Sequence, residues 1–214
     1  MKHSRPDIAN SVRELSKCMD KGNQAVYTEM KRVIKFVLES KDFGLKVCPE
    51  ITKNYKLEVF VDADWAGDSD TRLSVSGFVM FLNGAIVNWR LRAQQNVTLS
   101  SRESEYVSLS DCVKEIKFID MLCKGLKIEL EKPIKVRVDN VSANLAETAN
   151  ASRRTRHIDV KYHHVRNSIE EGFIKVEFVV SEENYANIFT KNVRQAIYNK
   201  HKDAMIFKKE DMSD

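Results

Sequence analysis

The sequence predicts an α/β fold: a mixed five-stranded sheet, three strands antiparallel and two parallel, flanked by helices and preceded by a helical extension. Three observations predict it. Residues 55–89 hold three short apolar/polar alternating runs separated by turn signals, the pattern of an antiparallel meander. Two later strand-like runs, IKVRVD and FIKVEFVV, are each reached through helical segments, which calls for right-handed crossovers and parallel pairing. Residues 7–39 carry helical spacing throughout.

The helical extension comes first. Val33, Ile34, Val37 and Leu38 repeat at helical intervals around Phe36, and Lys21-Gly22-Asn23 breaks the region into two helices. A connector with Gly44, Pro49 and Asn54 follows. In YKLEVFVDADW, Leu57, Val59 and Val61 share one face and Glu58, Phe60 and Asp62 the other, which makes the first strand. SGFVMFL is the second strand. Asn83-Gly84 is a strong two-residue hairpin signal, and AIVNW returns as the third. Ser100 with Glu103 three residues later forms a capping box that opens a helix burying Leu109, Cys112, Val113, Ile116 and Ile119 and ending near Gly125. Pro133 precedes the fourth strand. A short helix over Val141–Thr148 and a longer one over Thr155–Glu171 lead to Gly172 and the fifth strand, and SEENYANIFTK supplies a last helix starting after Ser181. From Val193 the chain is polar and is expected to be a loosely held tail.

At 214 residues and 43% hydrophobic content the chain can build a core, which excludes overall disorder. Cys18, Cys48, Cys112 and Cys123 show no CxxC spacing, so reduced thiols are expected. Residues 1–15 lack an apolar block and no 18-residue apolar run occurs. A cytoplasmic protein with no membrane partner is the expectation.

Three acids stand where this topology gathers side chains. Asp62 ends the first strand and Asp139 the fourth, and these strands are predicted to be parallel neighbours. Glu105 sits in the first turns of the capped helix, with Leu109 and Cys112 following on its face. Carboxylates forced together repel and lose hydration unless a cation or a proton intervenes. Oxygen donors of this kind suit Mg²⁺ or Mn²⁺. Any one of these acids alone reads as an ordinary strand-end or surface carboxylate; the agreement of three positions with one topology singles them out.

FVDADWAGD (60–68), SVSGFVMFL (74–82), NW (88–89), TLSSRESEY (98–106), VRVDN (136–140), RTRHIDVKYHHV (154–165) and NIFTKN (187–192) resemble, in that order, the ribonuclease H domain of copia-type retrotransposon Pol polyproteins. RPDIANSVRELS (5–16) and MKRVIKFVLESKDFGL (30–45) resemble the end of the preceding reverse transcriptase region. The resemblance implies a ribonuclease H-like domain at 55–192, a helical connection region at 1–50 and a tail at 193–214. It implies cleavage of the RNA strand of an RNA/DNA hybrid by two divalent ions, Mg²⁺ or Mn²⁺. It implies Asp62 bridging both ions, Glu105 and Asp139 as further ligands, and the reverse transcriptase domain of the same polyprotein as a partner, with a virus-like particle as the setting of a full element.

The family's last helix reads like ADIFTK; here it is ANIFTK, so Asn187 stands where the fourth carboxylate is expected. An amide oxygen brings no charge. The resemblance therefore implies an enzyme by descent, impaired through Asn187. The alternative is a catalytically inactive hybrid-binding or structural module.

SRRTRHIDVKYHHVR (152–166) holds Arg153, Arg154, Arg156, Lys161 and Arg166 against Asp159 alone, a local excess equal to the formal +4 of the whole chain. Phosphate contact and a solvated helix face are the two readings of such a run. Ser100 and Ser101 have two roles open to them, capping the helix or touching ribose 2′-hydroxyls. His157 is a candidate for positioning a phosphate, and Asn140 completes the nucleic-acid-binding candidates.

Overall fold

The structure, a computed structural model, describes residues 4–47, 54–68, 70–139 and 156–208, with the side chains of Lys21 and residues 156–160 outside the description. The expected helical extension is present as helices α1 (Ala9–Lys17) and α2 (Gln24–Glu39), with short 3₁₀ turns before α1 and between the two. Asn23 starts α2 as its N-cap, its side chain accepting from Val26 N at 2.9 Å. The connector is not featureless. It contains a three-residue strand, β1 (Phe43–Leu45).

The main sheet follows the predicted order. Strands β2 (Leu57–Asp64), β3 (Val75–Leu82) and β4 (Ala85–Ala93) form the antiparallel meander. Asn83 and Gly84 both take positive φ in the two-residue loop between β3 and β4, the backbone that a tight hairpin with native twist demands. Helix α3 (Ser101–Gly125) then crosses to β5 (Ile134–Val138), which pairs in parallel with β2, and helix α4 (Arg156–Glu170) crosses to β6 (Ile174–Phe178), which pairs in parallel with β5. The sheet order is β4-β3-β2-β5-β6. This is the expected mixed sheet, three strands antiparallel and two added in parallel. The short helix expected at Val141–Thr148 lies outside the described residues.

Alternation along the strands feeds two cores. Leu57, Val59 and Val61 of β2, with Phe78 and Met80 of β3, pack against Leu109, Cys112, Val113 and Ile116 of α3. Phe60, Val79 and Phe81 face the other way, against Ile188, Phe189, Met205 and Ile206. Helix α4 joins the first core through Val165 and through stacked Tyr106 and Tyr162 rings 3.7 Å apart.

The carboxy-terminal region differs from expectation in two ways. The last predicted helix is a 3₁₀ turn (Ser181–Glu183) followed by a separate four-residue helix, α5 (Asn187–Thr190). The loosely held tail is instead helix α6 (Gln195–Met205) and strand β7 (Ile206–Lys208). Burying Met205 and Ile206 outweighs the polarity of their neighbours, and β7 completes its hydrogen bonds on β1 in an antiparallel pair.

Gly77 of β3 sits opposite Asp62 of β2 in the sheet register. A Cβ built there would lie 2.7 Å from Thr190 Cγ2 and 3.0 Å from Phe189 Cβ. The bare glycine therefore lets α5 press onto the sheet, a close approach that a strand glycine often marks. Gly77→Ala is expected to destabilise the fold by about 1–3 kcal/mol through overpacking, seen as a lower urea midpoint with an unchanged slope.

Candidate functional site at the end of the parallel strands

The register of the central strands decides where the acids fall. Val61 pairs with Val138 across the parallel β2/β5 ladder, so the next residues, Asp62 and Asp139, emerge side by side at one sheet edge. Asp62 is 4% exposed and Asp139 is partly exposed. The end of β2 is clamped from both faces. Ser108 Oγ of α3 donates to the Asp62 carbonyl at 2.9 Å, and Asn184 Nδ2 donates to the Val61 carbonyl at 2.9 Å.

Between the two carboxylates stands a lysine. Lys191 Nζ lies 3.3 Å from Asp62 Oδ1 and 3.5 Å from Asp139 Oδ2. The other Asp62 oxygen accepts from the Thr190 hydroxyl, and Asp139 Oδ2 also accepts from Ser181 Oγ at 2.8 Å. Burial pushes Asp62 up from 3.8 to about 6; the Lys191 charge works against that shift and the Asp139 charge adds to it. Burial works against the Lys191 charge, yet the pull of Asp62 and Asp139 leaves it above its ordinary value.

Asn187 opens α5 and is 2% exposed. Its Nδ2 donates to the Ser181 carbonyl at 2.6 Å and to Ser181 Oγ at 2.9 Å, which links it to Asp139 through one hydroxyl. Its Oδ1 is buried without a hydrogen-bond partner. Glu105 lies on α3 one turn before Ser108 and is half-buried. Among the described residues no group of three or more His, Cys, Asp and Glu side chains converges closely enough to hold a metal ion. Asp62 and Asp139 are thus brought together; Glu105 does not join them in such a group.

The capping box forms, shifted by one residue: Ser100 Oγ accepts from Glu103 N at 3.2 Å, while Glu103 Oε2 accepts from Leu99 N, not Ser100 N. Ser100 is thus seen in the capping role, and Ser101 is exposed beside it. Lys161 is half-buried and lines a polar cleft with Arg92, Gln94, Glu103 and Lys114. Asn140, Arg153 and Arg154 lie outside the described residues, as do the side chains of Arg156 and His157.

Three contributors escaped the sequence reading: Lys191, Thr190 and Ser181. Thr190 and Lys191 lie inside the NIFTK run, yet nothing in linear spacing tells that a lysine will reach two strand ends more than fifty residues apart in the chain.

No family model matches the chain. Over 196 residues, 91% of its length, it is 30% identical to the retrovirus-related Pol polyprotein from transposon RE2 of Arabidopsis thaliana. Over 195 residues, 89% of its length, it is 30% identical to the polyprotein from transposon TNT 1-94 of Nicotiana tabacum. The chain belongs to the copia-type transposon Pol polyproteins. This Pol segment spans 13% and 14% of the length of those two relatives. It is also similar to the N-terminal ribonuclease H domain of rv2228c from Mycobacterium tuberculosis, with a TM-score of 0.47 and 13% identity over 69% of this chain and 99% of that one. Among its described residues no helix is long and apolar enough to cross a membrane.

The raised Asp62 pKa has a definite sign. A carboxyl group held above its ordinary value stabilises the fold below about pH 4, and that contribution is lost as pH rises through about 6. Asp62→Asn removes the loss. Its melting temperature relative to the unsubstituted chain is expected to be several degrees more favourable at pH 8 than at pH 4, measured by circular dichroism. A difference that does not change with pH would mean that Asp62 titrates as it does in water.

Proposed function

We propose that this Pol segment is a ribonuclease H-like domain that engages RNA/DNA hybrids and whose hydrolysis of the RNA strand is impaired. The observation that carries the reading is the pair Asp62 and Asp139 at the ends of adjacent parallel strands, with Asn187 where the family pattern has an aspartate. The family resemblance over nearly the whole chain supports the substrate class. The basic stretch from Arg153 to Arg166 supports contact with phosphates.

In an intact site of this kind Asp62, Glu105, Asp139 and a fourth carboxylate would hold two Mg²⁺ or Mn²⁺ ions, which supply an activated water and stabilise the leaving oxygen. The residues present do not fit that pair of ions. Asn187 contributes no charge and is tied through its amide to Ser181, and the Lys191 ammonium, which the family pattern ADIFTK also carries, is in contact with both aspartates. A second reading, a hybrid-binding module without catalysis, is favoured by the amide at Asn187 in place of a carboxylate.

The domain at 55–192 is proposed to work beside the reverse transcriptase region of its own polyprotein. Helix α2 supports this: none of its residues is buried, and Tyr27, Met30, Ile34 and Leu38 expose an apolar face.

The test is cleavage of an end-labelled RNA/DNA hybrid in Mg²⁺ and in Mn²⁺. A carboxylate at 187 meets the Ser181 carbonyl and has to turn away from it, which frees it for a metal. Asn187→Asp is expected to cut at least on the order of 10²-fold faster than the unsubstituted chain, the scale on which removing one transition-state stabiliser acts. Equal cutting by both would overturn the impairment. Hybrid binding without cutting by either folded protein would establish the second reading.

A further inference from the structure

Two carboxylates held in register at a sheet edge cannot move apart to relieve their repulsion. Asp62 has in addition lost nearly all its water. Such a pair persists if a positive charge or a proton is delivered to it and the remaining oxygen lone pairs find donors. Protein groups meet both conditions at Asp62 and at one oxygen of Asp139. The oxygens of Asp62 are shared between Lys191 and Thr190, and Asp139 Oδ2 is shared between Lys191 and Ser181.

The lysine is not a long side chain that happens to lie nearby. Its backbone N–H caps α5 by donating to the Asn187 carbonyl at 3.1 Å. Helix α5 is pinned by the fully buried Phe189 and seated on bare Gly77, directly opposite Asp62. The stem of Lys191 therefore starts from a fixed point beside the acids. Asn187, whose charged counterpart would repel the Ser181 carbonyl, instead holds that residue in the position from which its hydroxyl reaches Asp139.

We propose that Lys191 is the resident cation of this site: its ammonium takes the place of a divalent ion between Asp62 and Asp139, and such an ion enters only by displacing it. The proposal rests on the ribonuclease H-like reading for the expectation that an ion belongs there. It is separate from the impairment assigned to Asn187: the family pattern ADIFTK carries the same lysine, so the contest between ammonium and divalent ion belongs to the site itself and not to the missing carboxylate. A hard divalent cation needs short, near-octahedral contacts to oxygen, and it cannot share these carboxylates with an ammonium already in contact with both.

The experiment measures metal binding directly, without reference to cleavage. The whole chain, Lys191→Met and the double variant Lys191→Met/Asp62→Asn are titrated with Mn²⁺, and free Mn²⁺ is followed by electron paramagnetic resonance. Lys191→Met keeps the apolar stem and removes the charge. It is expected to bind Mn²⁺ at least about tenfold more tightly than the unsubstituted chain, and Asp62→Asn in the same chain is expected to abolish the gain. Equal or weaker binding by Lys191→Met overturns the proposal, as does a gain that survives Asp62→Asn.

If the uncompensated carboxylates leave Lys191→Met unfolded, melting curves decide the matter. Mn²⁺ is then expected to restore a cooperative transition to that variant while moving the unsubstituted chain little, and failure to restore it overturns the proposal. Hybrid binding by the unsubstituted chain is measured in parallel. Retained hybrid binding with no Mn²⁺ gain sinks this inference alone; an Mn²⁺ gain with no hybrid binding by any form leaves the cation assignment standing and removes the ribonuclease H-like reading.

Discussion

Placing two carboxylates at the ends of neighbouring parallel strands creates an electrostatic demand that the surrounding chain has to satisfy, and most of the site follows from it. The ladder that aligns Val61 with Val138 leaves Asp62 and Asp139 no freedom to separate. The described groups that bond them are donors, and the groups around those hold the donors in place. Thr190 and Ser181 supply hydroxyls, Lys191 supplies charge, and Gly77 gives up its side chain so that the segment carrying Thr190 and Lys191 comes close enough. Ser108 and Asn184 hold the strand end itself by bonding its carbonyls. The free energy of burying Phe189 and Ile188 on the second face of the sheet anchors this machinery.

How much of this was legible in the sequence depended on the range of the signal. The five strands of the main sheet, the Asn83-Gly84 hairpin and the Ser100 cap declare themselves within windows of a few residues, by alternation, by positive φ and by a capping pair. The adjacency of Asp62 and Asp139 was legible too, because right-handed crossovers leave few ways to arrange two parallel strands after a meander. The partnership of Lys191 was not. A lysine in a polar stretch reads as solvated, and only the approach of α5 to Gly77 turns it into an ion-pair partner. Strands β1 and β7 went unseen for a related reason: three residues carry no period, and each acquires strand structure only because the other is there. The tail read as polar on average, which hid the apolar pair Met205 and Ile206.

The site also separates two meanings of similarity. Relatedness to transposon Pol polyproteins extends along nearly the whole chain. Yet the chemistry of such a site turns on a handful of charges; at the proposed site one position holds an amide, and Asp62 is paired with an internal lysine. Fold and descent constrain where chemistry happens more tightly than whether it happens.

The pairing of β1 with β7 ties a stretch just after α2 to one just after α6, segments more than 150 residues apart in sequence. Neither strand has another partner in its two-stranded sheet. Cleavage or deletion that trimmed away β1 would strand β7, together with Met205 and Ile206, as an open, adhesive edge of the kind that recruits other chains. The helical extension and the last segment therefore survive or decay together. Loss of either strand would leave the other's edge open with every acidic residue still in place.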